Sequence, residues 1–155
     1  YMEETLEREL RRASRQALPV GVVVLDLDHF KHFNDTFGHA AGDLLLRELA
    51  AFLRANIRAE DVPCRYGGEE FVLILPGAPP ETVWQRAERI CQEVAHLQAS
   101  YNGQLLGQVT LSLGVATFPE HSASVAGLLR AADAALYQAK RQGRNQVAIA
   151  EAGEA

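Results

Sequence analysis

Apolar positions along this chain alternate between helical and extended spacing. Residues 2–17 carry mixed charges around Leu6, Leu10 and Ala13, which predicts a surface helix with a narrow apolar stripe, ended by Pro19. Val20-Gly21-Val22-Val23-Val24-Leu25 is short, β-branched and apolar at successive positions, as in a central strand covered by helices on both faces. A helical turn over 29–36 and a break at Gly38-His39 lead into Leu44, Leu45, Leu49, Phe52, Leu53 and Ile57, the stripe of a long amphipathic helix. Residues 62–66 and 71–75 read as strands joined through Gly67-Gly68 into a tight antiparallel hairpin, stopped by Pro76, Gly77, Pro79 and Pro80. A helix over 80–98 would bury Val83, Ala87, Ile90, Val94 and Leu97 before the Asn102-Gly103 turn. In 109–116, Val109, Leu111, Leu113 and Val115 alternate with Thr110, Ser112, Gly114 and Ala116, giving one bulky and one small strand face. A helix over about 124–140 and a strand at 146–149 complete the pattern.

Strands and helices alternate, but the adjacent strand pair in the middle demands an antiparallel hairpin that a purely parallel sheet would not contain. The expected fold is α+β: a ferredoxin-like βααββαβ core whose mostly antiparallel central sheet is flanked by helices. Residues 1–150 read as one domain, with 151–155 a frayed acidic tail.

The length of 155 residues suits a single core, and 48% apolar with 23% charged residues is an ordinary globular balance. A formal net charge of -5 opposes general attraction to nucleic acid or anionic membrane, so a phosphate-bearing ligand needs a local basic pocket. The longest apolar run, Val20–Leu25, falls far short of the roughly 20 residues that span a bilayer. Cys64 and Cys91 have neither CxxC nor zinc-ligand spacing, so reduced thiols and a cytoplasmic location are expected. No signal peptide opens the chain, and Tyr1-Met2 already stands in the first helix, as in an excerpt of a longer protein.

The candidate chemistry is acidic. Asp26 and Asp28 end the first strand two residues apart, so in extended geometry their carboxylates share a side. At about 4 Å and an effective dielectric near 20 they would repel by about 4 kcal/mol, which calls for Lys31 or a hard metal ion nearby. Glu69 and Glu70 form a second pair beside two glycines that permit a tight turn and close ligand approach. A few carboxylates leaving room for water and phosphate suit magnesium or manganese. With no GxxxxGK[ST] loop, phosphate would instead meet Lys31 and the pair Lys140 and Arg144, four residues apart at the end of the last helix.

Three separated stretches then carry a resemblance over nearly the whole chain. They are Asp26-Leu27-Asp28-His29-Phe30-Lys31 continuing to Asp43, Arg65-Tyr66-Gly67-Gly68-Glu69-Glu70-Phe71, and Ala132-Asp133-Ala134-Ala135-Leu136-Tyr137-Gln138-Ala139-Lys140 with Gly143-Arg144-Asn145. The sequence resembles the GGDEF family of diguanylate cyclases, whose fold is similar to nucleotide cyclase and polymerase palm domains. The resemblance implies condensation of two GTP into cyclic di-GMP by 3′-hydroxyl attack on an α-phosphate, with two Mg²⁺ or Mn²⁺ ions per half-site. It implies Asp26, the Leu27 carbonyl and Glu69 as metal ligands, with Glu70 and, less directly, Asp28 in the same site. Asn34 and Asp43 would read guanine, and His29, Phe30, Lys31, Gly67, Gly68, Lys140 and Arg144 would hold the rest of the substrate. Each domain would hold one GTP, so a homodimer of facing half-sites is implied. Arg58-Ala59-Glu60-Asp61 matches the family's RxxD product-inhibition site, with Arg89 a further contributor. The family's Asp-x-Leu-Thr turn and Asn-Arg segment, which couple an upstream sensory domain, do not occur in the chain.

Overall fold

The computed structural model describes residues 1–97 and 100–151. Helix α1 (Met2–Gln16) leads into β1 (Val20–Leu27), then α2 (Phe30–Phe37) and α3 (His39–Ala55). Strands β2 (Val62–Arg65) and β3 (Glu70–Pro76) precede α4 (Pro80–Ala95), and a small hairpin, β4 (Ser100–Tyr101) with β5 (Gln104–Leu105), follows. The chain closes with β6 (Leu111–Phe118), α5 (Val125–Arg141) and β7 (Gln146–Ile149). The central sheet runs β2-β3-β1-β6-β7, antiparallel throughout except for the parallel pair β6 and β7. The expected α+β core is thus present, extended by α5 and β7.

Every residue of β1 is buried because the strand lies mid-sheet with helices on both sides. Val23, Leu25 and Leu27 face one apolar layer with Leu45, Leu46, Leu49 and Leu53 of α3 and Val83, Ala87 and Ile90 of α4. Val20, Val22 and Val24 face the other, with Leu6 and Leu10 of α1 and Leu128, Ala132 and Leu136 of α5. Strand β6 divides as its alternation predicts, sending Leu111, Leu113 and Val115 to the first layer and Ala116 to the second. Gly114, also on the small face, lets α5 approach: a Cβ there would lie 2.1 Å from the Ala132 carbonyl oxygen and 2.3 Å from the Leu136 nitrogen. That approach sets α5 close enough for its C-terminal end to reach the end of β1.

Several boundaries differ from the sequence reading. Helix α1 ends at Gln16, because Ala17 adopts the left-handed conformation (φ 53°) before Pro19 is reached. Helix α3 begins at His39, immediately after Gly38, and Ile57 lies beyond its end. Helix α4 stops at Ala95, so Leu97 is outside its stripe and 40% exposed, while residue 98 lies outside the described residues. The β4–β5 hairpin escaped the pattern because each strand has two residues, too few to show a period. Of the expected tail, 152–155 also lie outside the described residues. Among the described residues no helix is long and apolar enough to cross a membrane.

Candidate active site

The β1–β3 register sets Asp26 opposite Glu70, and the β1–β6 register sets the same Asp26 opposite Ser112. Asp26 belongs with Val20, Val22 and Val24 on the α5 side of the sheet. There the Lys140 ammonium lies 2.6 Å from its Oδ2, at the last turn of α5. Lys140, rather than Lys31, is the positive partner of this carboxylate; Lys31 is exposed in α2. Oδ1 of Asp26 is buried with no hydrogen-bond partner, an acceptor open to a further donor or cation.

Between β2 and β3 the chain turns through Tyr66, Gly67, Gly68 and Glu69, closed by a 2.7 Å bond from the Tyr66 N–H to the Glu70 carbonyl. Gly67 takes φ +83°, a conformation a side chain would strain. The Arg65 guanidinium grips the tip, donating to the Gly68 carbonyl from Nε at 3.1 Å and Nη2 at 2.6 Å. Both hairpin glutamates are pushed above the usual 4.5. For Glu69 burial acts first, then the Asp26 charge and a hydrogen bond that forms with Asp26 once either is protonated, partly offset by Lys140. For Glu70 burial again leads, followed by the charges of Asp133 and Asp26. Asp133, itself pushed up by burial, is a fourth acid that sequence reading placed only within a motif.

Asp28 lies beyond the strand, and its expected repulsion with Asp26 is met by hydrogen bonds. It accepts from Thr110 Oγ1 at 2.7 Å, Ser112 Oγ at 2.6 Å and the Asn145 N–H at 3.0 Å. Its role is to tie β1 to β6 and to the turn before β7. Among the described residues no group of three or more His, Cys, Asp or Glu side chains forms a metal cage. Asp26 nevertheless keeps Oδ1 open beside Glu69, and carboxylate oxygens are the donors that Mg²⁺ or Mn²⁺ takes.

Helix α2 starts at Phe30, two residues after Asp28, and its N-cap His29 is left-handed (φ 57°). Its first described backbone bond runs from the Phe33 N–H to the His29 carbonyl. The N–H groups of Phe30, Lys31 and His32 therefore lack intrahelical acceptors and point from the helix start, the geometry that receives anions. One turn on, Asn34 packs against Gly42 of α3 so closely that a Cβ at residue 42 would lie 1.7 Å from Asn34 Oδ1. That oxygen is buried without a partner, and exposed Asp43 is the next residue along. Arg144 is not helical: α5 ends at Arg141, Arg144 is left-handed (φ 64°) and exposed, and four-residue helical spacing from Lys140 does not apply.

Immediately before β2, Asp61 is buried and accepts from the Arg58 N–H at 2.8 Å. Its closer ion-pair partner is Arg86 of α4, which sequence reading did not single out, while Arg58 Nε stands 3.9 Å away. Arg89 is turned away, paired with Glu93 at 2.9 Å, and that pairing raises its already high pKa. A signal for Arg86 was available: at 100° per residue it lies roughly 70° from the centre of the buried stripe Val83, Ala87, Ile90 and Val94, against roughly 130° for Arg89.

Fold and site together define an α+β sandwich in which a carboxylate hairpin meets the end of the buried central strand. The family model described as "Diguanylate cyclase, GGDEF domain" matches residues 1–146, and the chain belongs to that family of enzymes. It is 43% identical over 148 residues to the response regulator PleD of Caulobacter vibrioides, covering 95% of this chain and 33% of that protein. It is 41% identical to the diguanylate cyclase DgcP of Pseudomonas aeruginosa, covering 96% and 22%. The chain thus spans a third or less of these relatives. Among solved structures, the GGDEF domain of DgcB from Caulobacter crescentus in complex with c-di-GMP superposes with a TM-score of 0.90 at 35% identity, covering 96% of this chain and 87% of that one. The active GGEEF domain of a diguanylate cyclase from Vibrio cholerae gives 0.86 at 34%, covering 93% and 90%.

Proposed function

We propose that residues 1–150 form a catalytic domain that condenses two GTP molecules into cyclic di-GMP and two pyrophosphates, each domain of a homodimer holding one GTP. The observation that carries this is the end of β1, where buried Asp26 keeps one oxygen open beside Glu69 and Glu70. Asn34 and Asp43 face guanine: a carboxylate accepts from guanine N1 and N2 donors, whereas adenine offers an acceptor at N1. His29, Phe30 and Lys31 present the α2 start to the triphosphate, Gly67 and Gly68 let it approach, and Lys140 and Arg144 add positive charge.

In each of two condensations the 3′-oxygen of one GTP bonds to the α-phosphorus of the other, the bond to the β-phosphate bridging oxygen breaks, and pyrophosphate leaves. The hydroxyl proton passes to a carboxylate of the hairpin, and Glu70, whose affinity for a proton is raised, suits that part. Two Mg²⁺ or Mn²⁺ ions held by Asp26, Glu69 and the Leu27 carbonyl would supply activation of the hydroxyl and neutralisation of phosphate charge. Lys140, which pairs with Asp26, would turn toward phosphate once metal takes over that carboxylate. Arg58 and Asp61, joined by Arg89 after release from Glu93, form a surface for product inhibition by cyclic di-GMP.

Incubation with GTP and Mg²⁺ followed by mass analysis tests the proposal. Cyclic di-GMP with two equivalents of pyrophosphate is expected. GTP binding without any cyclic product at concentrations that support a dimer would overturn it in favour of a nucleotide-binding module.

A further inference from the structure

We infer that Arg86 is a positioning residue for the cyclic di-GMP site, supplying the counter-charge that lets buried Asp61 act as a carboxylate acceptor and leaving Arg58 for the ligand. The inference rests on the product-site reading of Arg58 and Asp61.

The Asp61 side chain has no exposed surface. A carboxylate so placed persists as an anion only when charge and hydrogen bonds compensate for its lost hydration. Two arginines are in reach, and they differ. The Arg58 guanidinium is half exposed, lies 3.9 Å from Asp61 Oδ2, and is closer to Glu60 at 3.4 Å. Its firm contact with Asp61 is through the backbone N–H, which any residue at position 58 except proline would supply. The Arg86 guanidinium is 20% exposed and bonds Oδ2 directly through Nη2. Compensation thus comes from α4, 25 residues further along the chain.

This arrangement assigns separate work to the two oxygens of Asp61. Oδ2 is taken by Arg86 Nη2 and the Arg58 N–H, while Oδ1 has no partner. Arg86 Nη1 is likewise buried and unpartnered. A free carboxylate oxygen complements a ligand edge that carries adjacent donors, and guanine has this edge in N1–H and N2–H. A small outward shift of the 58–61 loop would present that edge with Oδ1 while Arg86 keeps hold of Oδ2. Arg58 and Arg89, both on the surface, would close over the ligand from outside by exchanging their pairs with Glu60 and Glu93.

Calorimetric titration of the intact chain with cyclic di-GMP tests the assignment, using Arg58→Ala, Arg86→Ala, Arg86→Lys, Asp61→Asn and the Arg86→Ala/Asp61→Asn double variant. Arg86→Ala is expected to weaken binding at least tenfold and Arg86→Lys to recover most of it. In the Asp61→Asn background, which has no charge to compensate, removal of Arg86 should change affinity less than threefold. A structural defect alone would add the same loss in both backgrounds. Thermal melts identify any variant that is unfolded, and Arg86→Lys then carries the comparison with Asp61→Asn. Undiminished binding by Arg86→Ala, or equal losses in the two backgrounds, would overturn the inference. If Arg58→Ala leaves binding intact, the product-site reading itself fails, a separate outcome.

Discussion

At the scale of single residues, the site is a set of acids kept at a cost. Glu69 and Glu70 are both raised above 4.5, chiefly by burial and then by neighbouring carboxylates. Between the ordinary glutamate value and their higher folded values, the folded state binds more protons than the unfolded one. Their contribution to stability is therefore fully present below the ordinary value and lost as pH rises through the raised ones. Glu70→Gln should accordingly melt above the wild type at neutral pH without metal, and the gap should close toward about pH 4, as scanning calorimetry across pH would show. Activity moves the opposite way: Glu69→Ala removes a proposed metal ligand and should lower turnover at least about a hundredfold, measured by pyrophosphate release at saturating GTP. Gly42 bears on a proposed guanine reader rather than on the acids. In Gly42→Ala the new methyl would meet Asn34 Oδ1, the end of a flexible side chain, so Asn34 must swing away. We expect about tenfold weaker GTP binding by calorimetry. The melting temperature should hold or rise, since alanine favours a helix by up to about 1 kcal/mol.

At the scale of elements, what matters is how closely α5 lies on the sheet. Lys140 reaches Asp26 across 114 residues of sequence because Gly114 admits the α5 backbone. At this position the obstacle is main chain, not a movable side chain, so Gly114→Ala must push the helix outward. A loss of about 1–3 kcal/mol is expected, read as a melting temperature lower by about 2–4 °C for each kcal/mol. The same displacement should weaken the hold of Lys140 on Asp26. Much at this scale was legible in the sequence. Val20 to Leu25 announces a strand buried on both faces, and the small face of β6 already marks where a helix packs. Helix ends were less legible. That α4 stops at Ala95 depends on where the chain is pulled away to start the next strand, which apolar spacing does not report.

At the scale of the whole molecule, one chain carries one carboxylate hairpin and one set of proposed guanine readers, while the proposed reaction joins two nucleotides. Specific activity should therefore rise with protein concentration and level off as dimer forms, a dependence that initial rates over a wide dilution series would show. A constant specific activity down to concentrations where light scattering finds only monomer would contradict the facing half-sites. The net charge of -5 shapes this encounter too, since two like-charged domains repel more at low salt.

The sequence by itself determined the order of the elements other than the two-residue strands β4 and β5, the antiparallel hairpin and the identity of the acids, because period and turn chemistry are local and each is written in consecutive residues. It also brought Asp26, Asn34, Asp43 and the hairpin glutamates into view through their motifs. Only the tertiary structure decided the partners. Lys140 rather than Lys31 neutralises Asp26, Thr110 and Ser112 satisfy Asp28, and Arg86 rather than Arg89 faces Asp61. Long side chains reach whatever the sheet order and helix positions bring within a few ångströms, and that proximity is a property of packing that no local pattern contains.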